Sequence, residues 1–303
     1  MLRKVDWKAL AAILGHLDAR WASLGWALSL LLIAGLALRW QIFLRQQGIK
    51  IPFTAVFSLT WAGQFFNSIL PGATGGDVVK IYQLCRLAPD RKAAAAATVF
   101  VDRLAALFAL LVLTGCALII DPVPLRTLST QSYSARTLLG LLVLFLFAVL
   151  AALFLFRSTR STLWGGRLMR TLAATKNHLS LNPKALAAGS LAFILHLLNF
   201  LIAYLFAKAL GLSITYLQVA IIVAVVMLLS MVPVTINGHG LRELLLIAYF
   251  TQLGLGLDRA VGSGVREIAI AFSLLLVAND LLWSIPGGIW YLTRSNVPIR
   301  DVN

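Results

Sequence analysis

The feature that most constrains this chain is a series of nearly uncharged apolar runs, each about as long as the hydrocarbon core of a bilayer is thick. A helix crossing that core needs about 20 mostly apolar residues. Runs of this kind occupy 22–39, 53–70, 96–120, 136–156, 185–207, 216–235 and 268–292. A shorter run, 241–256, fits a tilted span, a re-entrant helix or a helix packed inside a bundle. The expected fold is all-α, a polytopic transmembrane helix bundle of seven or eight crossings. Composition agrees, since 60% of the 303 residues are hydrophobic and 12% are charged. With a mean hydropathy of +0.89, an ordinary soluble domain is excluded.

Residues 1–20 interleave Trp7, Leu10, Ile13, Leu14 and Leu17 with Arg3, Lys4, Lys8 and Arg20, the pattern of an interfacial amphipathic helix and not of a cleaved leader. Residues 21–292 then form a single transmembrane domain with approximate halves 21–156 and 185–292, joined by a basic loop over 157–184 and followed by a polar tail, 293–303. The formal net charge is +15, but its basic residues are scattered between spans, which fits membrane orientation and argues against a nucleic-acid partner. Arg157, Arg160, Arg167, Arg170, Lys176 and Lys184 share one loop without Asp or Glu. The positive-inside rule puts that loop, and by alternation the N-terminus, on the cytoplasmic side of the cell membrane. A loop holding Arg39, Arg45 and Lys50 then faces outward, against the rule. Cys85 and Cys116 lack CxxC spacing, and His16, His178, His196 and His239 lie in four separate regions. Neither a disulfide, a metal site nor a cofactor is expected. Trp40, Trp283, Trp290 and Tyr291 sit near predicted span ends, as interfacial anchors do.

The hydrophobic pattern breaks twice. Residues Phe65 to Lys80 place Pro71 and Gly72, Gly75 and Gly76 directly after a span, so helix cannot continue there. Irregular backbone at membrane depth survives only inside protein or beside a wet cavity. Asp77 opens the next helix as a candidate cap, whose free N–H groups suit an anion such as a lipid phosphate. An ordinary glycine-rich interfacial loop is the equally weighted alternative. The second break, Ser230 to Glu243, again joins a span through Pro233, Gly238 and Gly240 to a short amphipathic helix opened by Arg242 and Glu243. The two breaks look like copies, and paired broken helices mark a site between two halves of a transporter.

Charges fall inside apolar segments. Asp102 and Arg103 lie about two turns into the third one, Arg242 with Glu243 and Arg266 with Glu267 flank the second break, and Asp280 sits midway along the last span beside Asn279. Each ionised group at a helix centre costs roughly 2.5 to 3.5 kcal/mol on insertion scales, so each should face a partner or water. The plain alternative is that these are ion pairs locking helices together. Arginine forks near two breaks nevertheless suit a phosphate. Asp280 is the candidate for a proton- or cation-coupling group. His196 and Asn199, one turn apart, read as interhelical glue.

Asn67-Ser68-Ile69-Leu70-Pro71-Gly72, Gly75-Gly76-Asp77, Val101-Asp102-Arg103, Gly238-His239-Gly240-Leu241-Arg242-Glu243 and Ser284-Ile285-Pro286-Gly287-Gly288 together resemble the membrane region of lysylphosphatidylglycerol synthases, the flippase-like family. The resemblance runs from the first span to Gly288. In large members this region is followed by a soluble aminoacyltransferase, for which no loop here is long enough. The resemblance therefore implies the lipid-handling half alone, with Asp77, Asp102, Arg103, Arg242 and Glu243 at its polar motifs.

The expected function is translocation of an anionic phospholipid or polyprenyl-linked lipid headgroup in a groove between the halves. The headgroup-binding candidates are Asn67, Gly75, Gly76, Asp77, Lys80, Asp102, Arg103, Asn237, Arg242, Glu243, Arg266 and Glu267. Membrane lipids are the expected partners, with a homo-oligomer or a pathway enzyme as further ones. No nucleotide-binding GxxxxGK[ST] loop is present. The competing classes are an intramembrane transferase using Asp77 or Asp102 as base, and an accessory lipid-binding subunit. Against the transferase stands the lack of a DxD carboxylate cluster and of a Ser/His/Asp order.

Overall fold

The computed structural model describes residues 6–69, 75–121, 183–230, 240–255 and 264–294, and among these the chain is all-α with no strand. Helix α1, Trp7–Gly15, starts where the Asp6 carboxylate accepts the N–H groups of Lys8 at 2.9 Å and Ala9 at 3.2 Å. It buries Leu10 and Ile13 and exposes Trp7, as an amphipathic surface helix should. Asp18 caps α2, Ala19–Gln46, by accepting the Arg20 N–H. That helix ends at Gly48, whose positive φ of 67° closes the turn at little steric cost. Then follow α3 (Phe53–Ile69), α4 (Gly75–Leu87), a 3₁₀ turn (Pro89–Arg91) and α5 (Lys92–Ile120). The second described stretch holds α6 (Pro183–Ala209), α7 (Tyr216–Ser230), α8 (Leu241–Gln252) and α9 (Val265–Arg294).

Four of these segments are long and apolar enough to cross a bilayer: Ala19–Gln46, Pro89–Ile120, Pro183–Ala209 and Val265–Thr293. The expected span 53–70 is a 17-residue helix and the next described helix has 13 residues, so α3 and α4 are each shorter than a full crossing. The span read at 136–156 and the basic loop over 157–182 lie outside the described residues. One expectation is corrected outright. The first span does not stop at 39 but continues to Gln46, because Leu36–Gln47 contains no Gly or Pro and its side chains pack on α3 and α6. Arg39 and Arg45 are therefore helical, and the supposed outward loop begins only after them.

Two larger hydrophobic clusters and a small one of Phe43, Val101 and Ala188 hold the described helices together. Phe200, Phe206, Ile222, Tyr249, Phe250 and Phe272 tie α6 to α9, while Ala37, Trp40, Leu44, Val56, Leu84 and Val99 tie α2 to α5. Trp40 is thus no interfacial anchor. It is 1% exposed, and its indole N–H donates to Thr98 Oγ1 at 3.2 Å.

Helix α3 packs against both α4 and α9, and glycines set how closely. A Cβ on Gly76 would overlap the Gly63 carbonyl, one on Gly287 would overlap the Trp61 carbonyl, and one on Gly288 would come within 2.5 Å of the Phe65 ring. Small residues admit such backbone contact, a main source of helix association in lipid. Pro286 lies inside α9 and removes a helical donor. One turn earlier the Trp283 carbonyl accepts the Trp61 indole N–H, so α3 supplies a hydrogen bond at the weakened turn. The Trp283 indole N–H in turn donates to the Trp26 carbonyl at 3.0 Å, which again makes a tryptophan a bundle contact and not a surface anchor.

Candidate functional site

The break after α3 is pinned from both sides. Asn67 Oδ1, in the last turn of α3, accepts the Gly76 N–H at 2.8 Å. Glycine at 76 permits this because the two backbones meet there without a side chain between them. Helix α4 therefore begins at Gly75, and Asp77 occupies its first turn without capping it. The carboxylate that sequence reading assigned to the helix end instead takes the fork of Arg103 on α5. Arg103 Nε donates to Asp77 Oδ2 at 2.6 Å and a terminal nitrogen donates to Oδ1 at 3.1 Å.

Asp102 is not paired with its neighbour Arg103 either. Consecutive residues on a helix point about 100° apart, so the two charges diverge. Asp102 turns toward α2 and accepts from Arg39 Nε at 2.7 Å and from a second guanidinium nitrogen at 3.1 Å. Both pairs have the two-pronged geometry in which arginine binds carboxylate most strongly. They differ in access. The Arg39 side chain is 4% exposed and Asp102 14%, whereas Arg103 is 39% exposed against 13% for Asp77. The first pair is sealed between α2 and α5, and the second opens outward.

Lys80, one turn after Asp77, completes the cluster. Its ammonium lies 5.2 Å over the Trp40 ring, its stem packs on Gly63, and it interacts electrostatically with Asp77, Asp102, Arg39 and Arg103. Counted by formal charge, three basic side chains and two carboxylates leave a surplus of one positive charge at this junction of α2, α4 and α5. Beside it, on the α9 side of α3, a cavity of about 230 Å³ is lined by Gln64, Asn67 and Ser68 of α3, by Asp280 of α9 and by neighbouring polar residues. Asn67 thus touches both places, through its bond to Gly76 and through the cavity wall.

The charges flanking the second break do not join this cluster. Glu243 folds back on its own helix and accepts the Gly240 N–H at 2.5 Å, while Ser273 of α9 donates to its other oxygen at 2.6 Å. Arg242 lies 3.5 Å from the same carboxylate. Glu267 is buried near the start of α9, where it accepts the Asp6 N–H at 3.4 Å and anchors the entrance of α1. The sequence expectation places Glu267, with Arg266, at a headgroup site, and its described hydrogen bond is to the backbone ahead of α1. Asn237 lies outside the described residues. His196 Nε2–H donates to the Ala106 carbonyl at 3.0 Å, and Asn199 contacts Met227 sulfur, both of which are interhelical contacts.

Sequence reading missed Arg39, the most deeply sealed arginine of the cluster. The signal was present, because the breaker-free stretch around it implies that the helix continues and carries a charge inside it. It also missed Ser29 and Gln64 in the cavity wall, which single polar residues on apolar helices do not advertise.

The model of the lysylphosphatidylglycerol synthase TM region matches residues 1–278. The UPF0104 membrane protein PH1989 of Pyrococcus horikoshii is 27% identical over 274 residues, covering 81% of each chain. With four bilayer-length apolar helices, these matches identify a multi-pass, lipid-related membrane protein. The chain belongs to the lysylphosphatidylglycerol synthase TM region family.

Proposed function

We propose that the protein is a lipid translocator that receives an anionic phospholipid or polyprenyl phosphate headgroup at the junction of α2, α4 and α5 while the acyl or prenyl tail stays in the bilayer. The observation that carries this reading is the surplus positive charge of the Arg39–Asp102, Asp77–Arg103 and Lys80 cluster, placed some ten residues into the long helix α5. A purely structural set of charges in hydrocarbon would be expected to balance, since each uncompensated ion there is costly. A phosphate would neutralise the surplus. Arg103, the more exposed of the two paired guanidinium groups, would bring its positive charge beside the phosphate, and Arg39, held rigidly by Asp102, would set the field behind it. Exposed Val78, Tyr82 and Phe100 on α4 and α5 offer apolar surface to the tail.

The test is reconstitution in liposomes carrying headgroup-labelled phosphatidylglycerol, phosphatidylcholine or polyprenyl phosphate, with a membrane-impermeant quencher added outside. The expected result is protein-dependent access to inner-leaflet label for the anionic lipids, lost in Arg103→Ala and in Asp77→Ala. Absence of movement for every lipid, with or without an ion gradient, would overturn translocation and favour an accessory lipid-binding or transferase role.

A further inference from the structure

The cavity between α2, α3 and α9 has the opposite chemistry from the basic cluster beside it. Its hydroxyl protons are committed to acceptors elsewhere. Ser68 donates to the Gln64 carbonyl at 3.0 Å and Ser284 to the Leu281 carbonyl at 3.1 Å. Ser29 has the Gly25 carbonyl at 2.9 Å and Asn279 Oδ1 at 2.8 Å as its acceptors. The Trp283 indole N–H is likewise used, on the Trp26 carbonyl. What these groups still offer the cavity is lone pairs and a π-face, and the side-chain amides of Gln64, Asn67 and Asn279 are its N–H donors, that of Asn279 being bonded to Asp280.

Asp280 adds a carboxylate, and no Lys, Arg or His among the described residues lines the wall. The lining from α2 and α3 is otherwise uncharged. From α8, Arg242 acts on Asp280 electrostatically, but its guanidinium stands beside Glu243. Ahead of α1 the Asp6 carboxylate caps that helix, Glu267 at the start of α9 accepts the Asp6 backbone N–H, and His196 of α6 donates to the Ala106 carbonyl. No basic side chain among the described residues comes within ion-pair distance of Asp280. A carboxylate midway along a span calls for a positive partner. The volume corresponds to roughly seven waters at about 30 Å³ each, ample for a partly hydrated ion or an ammonium group.

We propose that this cavity binds a monovalent cation, with Asp280 as counter-charge and the Ser29, Ser68 and Ser284 oxygens and the Trp283 ring as its lining. The cation is either a free inorganic ion or the ammonium of a lipid headgroup, two sources with one recognition chemistry. Only the second source rests on the lipid-handling reading above, and because binding is measured without transport, failure here is distinguishable from failure of translocation.

The experiment uses the full chain in nanodiscs. One arm titrates sodium into phosphatidylglycerol discs against N-methylglucamine at constant ionic strength. The other measures co-purified phosphatidylethanolamine from mixed discs in sodium-free buffer. The expected result is saturable occupancy in one arm, weakened about tenfold or more by Asp280→Asn, a change equivalent to at least 1.4 kcal/mol. Ser284→Ala, which leaves the carboxylate in place, should weaken it less and serves if Asp280→Asn does not fold. Sodium occupancy assigns a free ion, and phosphatidylethanolamine retention assigns a lipid ammonium. No occupancy in either arm, or occupancy unchanged in both variants, would overturn the proposal and make Asp280 a neutral structural group.

Discussion

The pair α3–α4 and the pair α7–α8 are written alike in sequence and used differently in space. Each is an apolar helix, a segment with Pro and Gly, and a short helix with a carboxylate in its first turn, Asp77 in one and Glu243 in the other. Helix α7 buries ten of its 15 residues, whereas α3 buries five of its 17, so the second pair is core and the first is free to line a cavity. Asp77 leaves its own helix to take an arginine fork on α5. Glu243 returns to its own N-terminus and a serine on α9. Whether such a carboxylate becomes part of a binding cluster or a cap depends on what the facing helix supplies, Arg103 in one case and Ser273 in the other.

The comparison can be broken most forcefully at the sealed pair. Asp102→Asn leaves the Arg39 guanidinium buried without its counter-ion, for which a loss of about 3 to 5 kcal/mol is expected. Thermal unfolding in detergent measures it, and a loss below about 1 kcal/mol would show that Arg39 is not sealed. The next effect is at the α3–α4 seam. Gly76→Ala forces α4 away from the Gly63 carbonyl, with an expected destabilisation of about 1 to 3 kcal/mol and loss of scrambling. The change Gly240→Ala, at the start of α8, meets no neighbour within 4 Å but must hold a φ of 91°. It should therefore strain the turn without separating helices.

Three further variants sharpen the contrast in function. Arg103→Ala should cut anionic-lipid scrambling about tenfold or more while lowering the melting temperature less than Asp102→Asn, because the Asp77–Arg103 pair is the open one. Arg103→Lys keeps the charge without the fork and should fall between. The smallest change is expected from Glu243→Gln, which removes a charged cap at a cost of about 0.5 to 2 kcal/mol and should leave scrambling per folded molecule intact. Equal loss of scrambling in Glu243→Gln and Asp77→Ala would mean that the two breaks serve the site together after all.

The amphipathic start, the helical class and the places where helices fail were legible in the chain, because apolar run length, periodicity and Pro or Gly are local properties. Asn67, Gly76, Asp77, Lys80, Asp102 and Arg103 were also legible as a set, since charges and glycines stand out against an apolar background. Their partners were not. Reading Asp102 with Arg103 assumed that neighbours in sequence pair, but these two side chains diverge and meet other helices, whereas the neighbours Arg242 and Glu243 stay 3.5 Å apart. Arg39 was hidden for the same reason, as its role depends on α5 lying against α2 at that height.

By itself, the sequence determined that this is a bilayer-adapted helical chain, broken after α3 and before α8, with more positive charge than it needs for solubility. Only the tertiary structure decided that the basic residues gather at α2, α4 and α5, that a cavity with Asp280 forms on the other face of α3, and that Glu243 caps α8 and meets Ser273. The physical reason is that hydrophobicity and helix termination act within about one turn of the chain, whereas ion pairing in a low-dielectric interior is settled by which helix faces which.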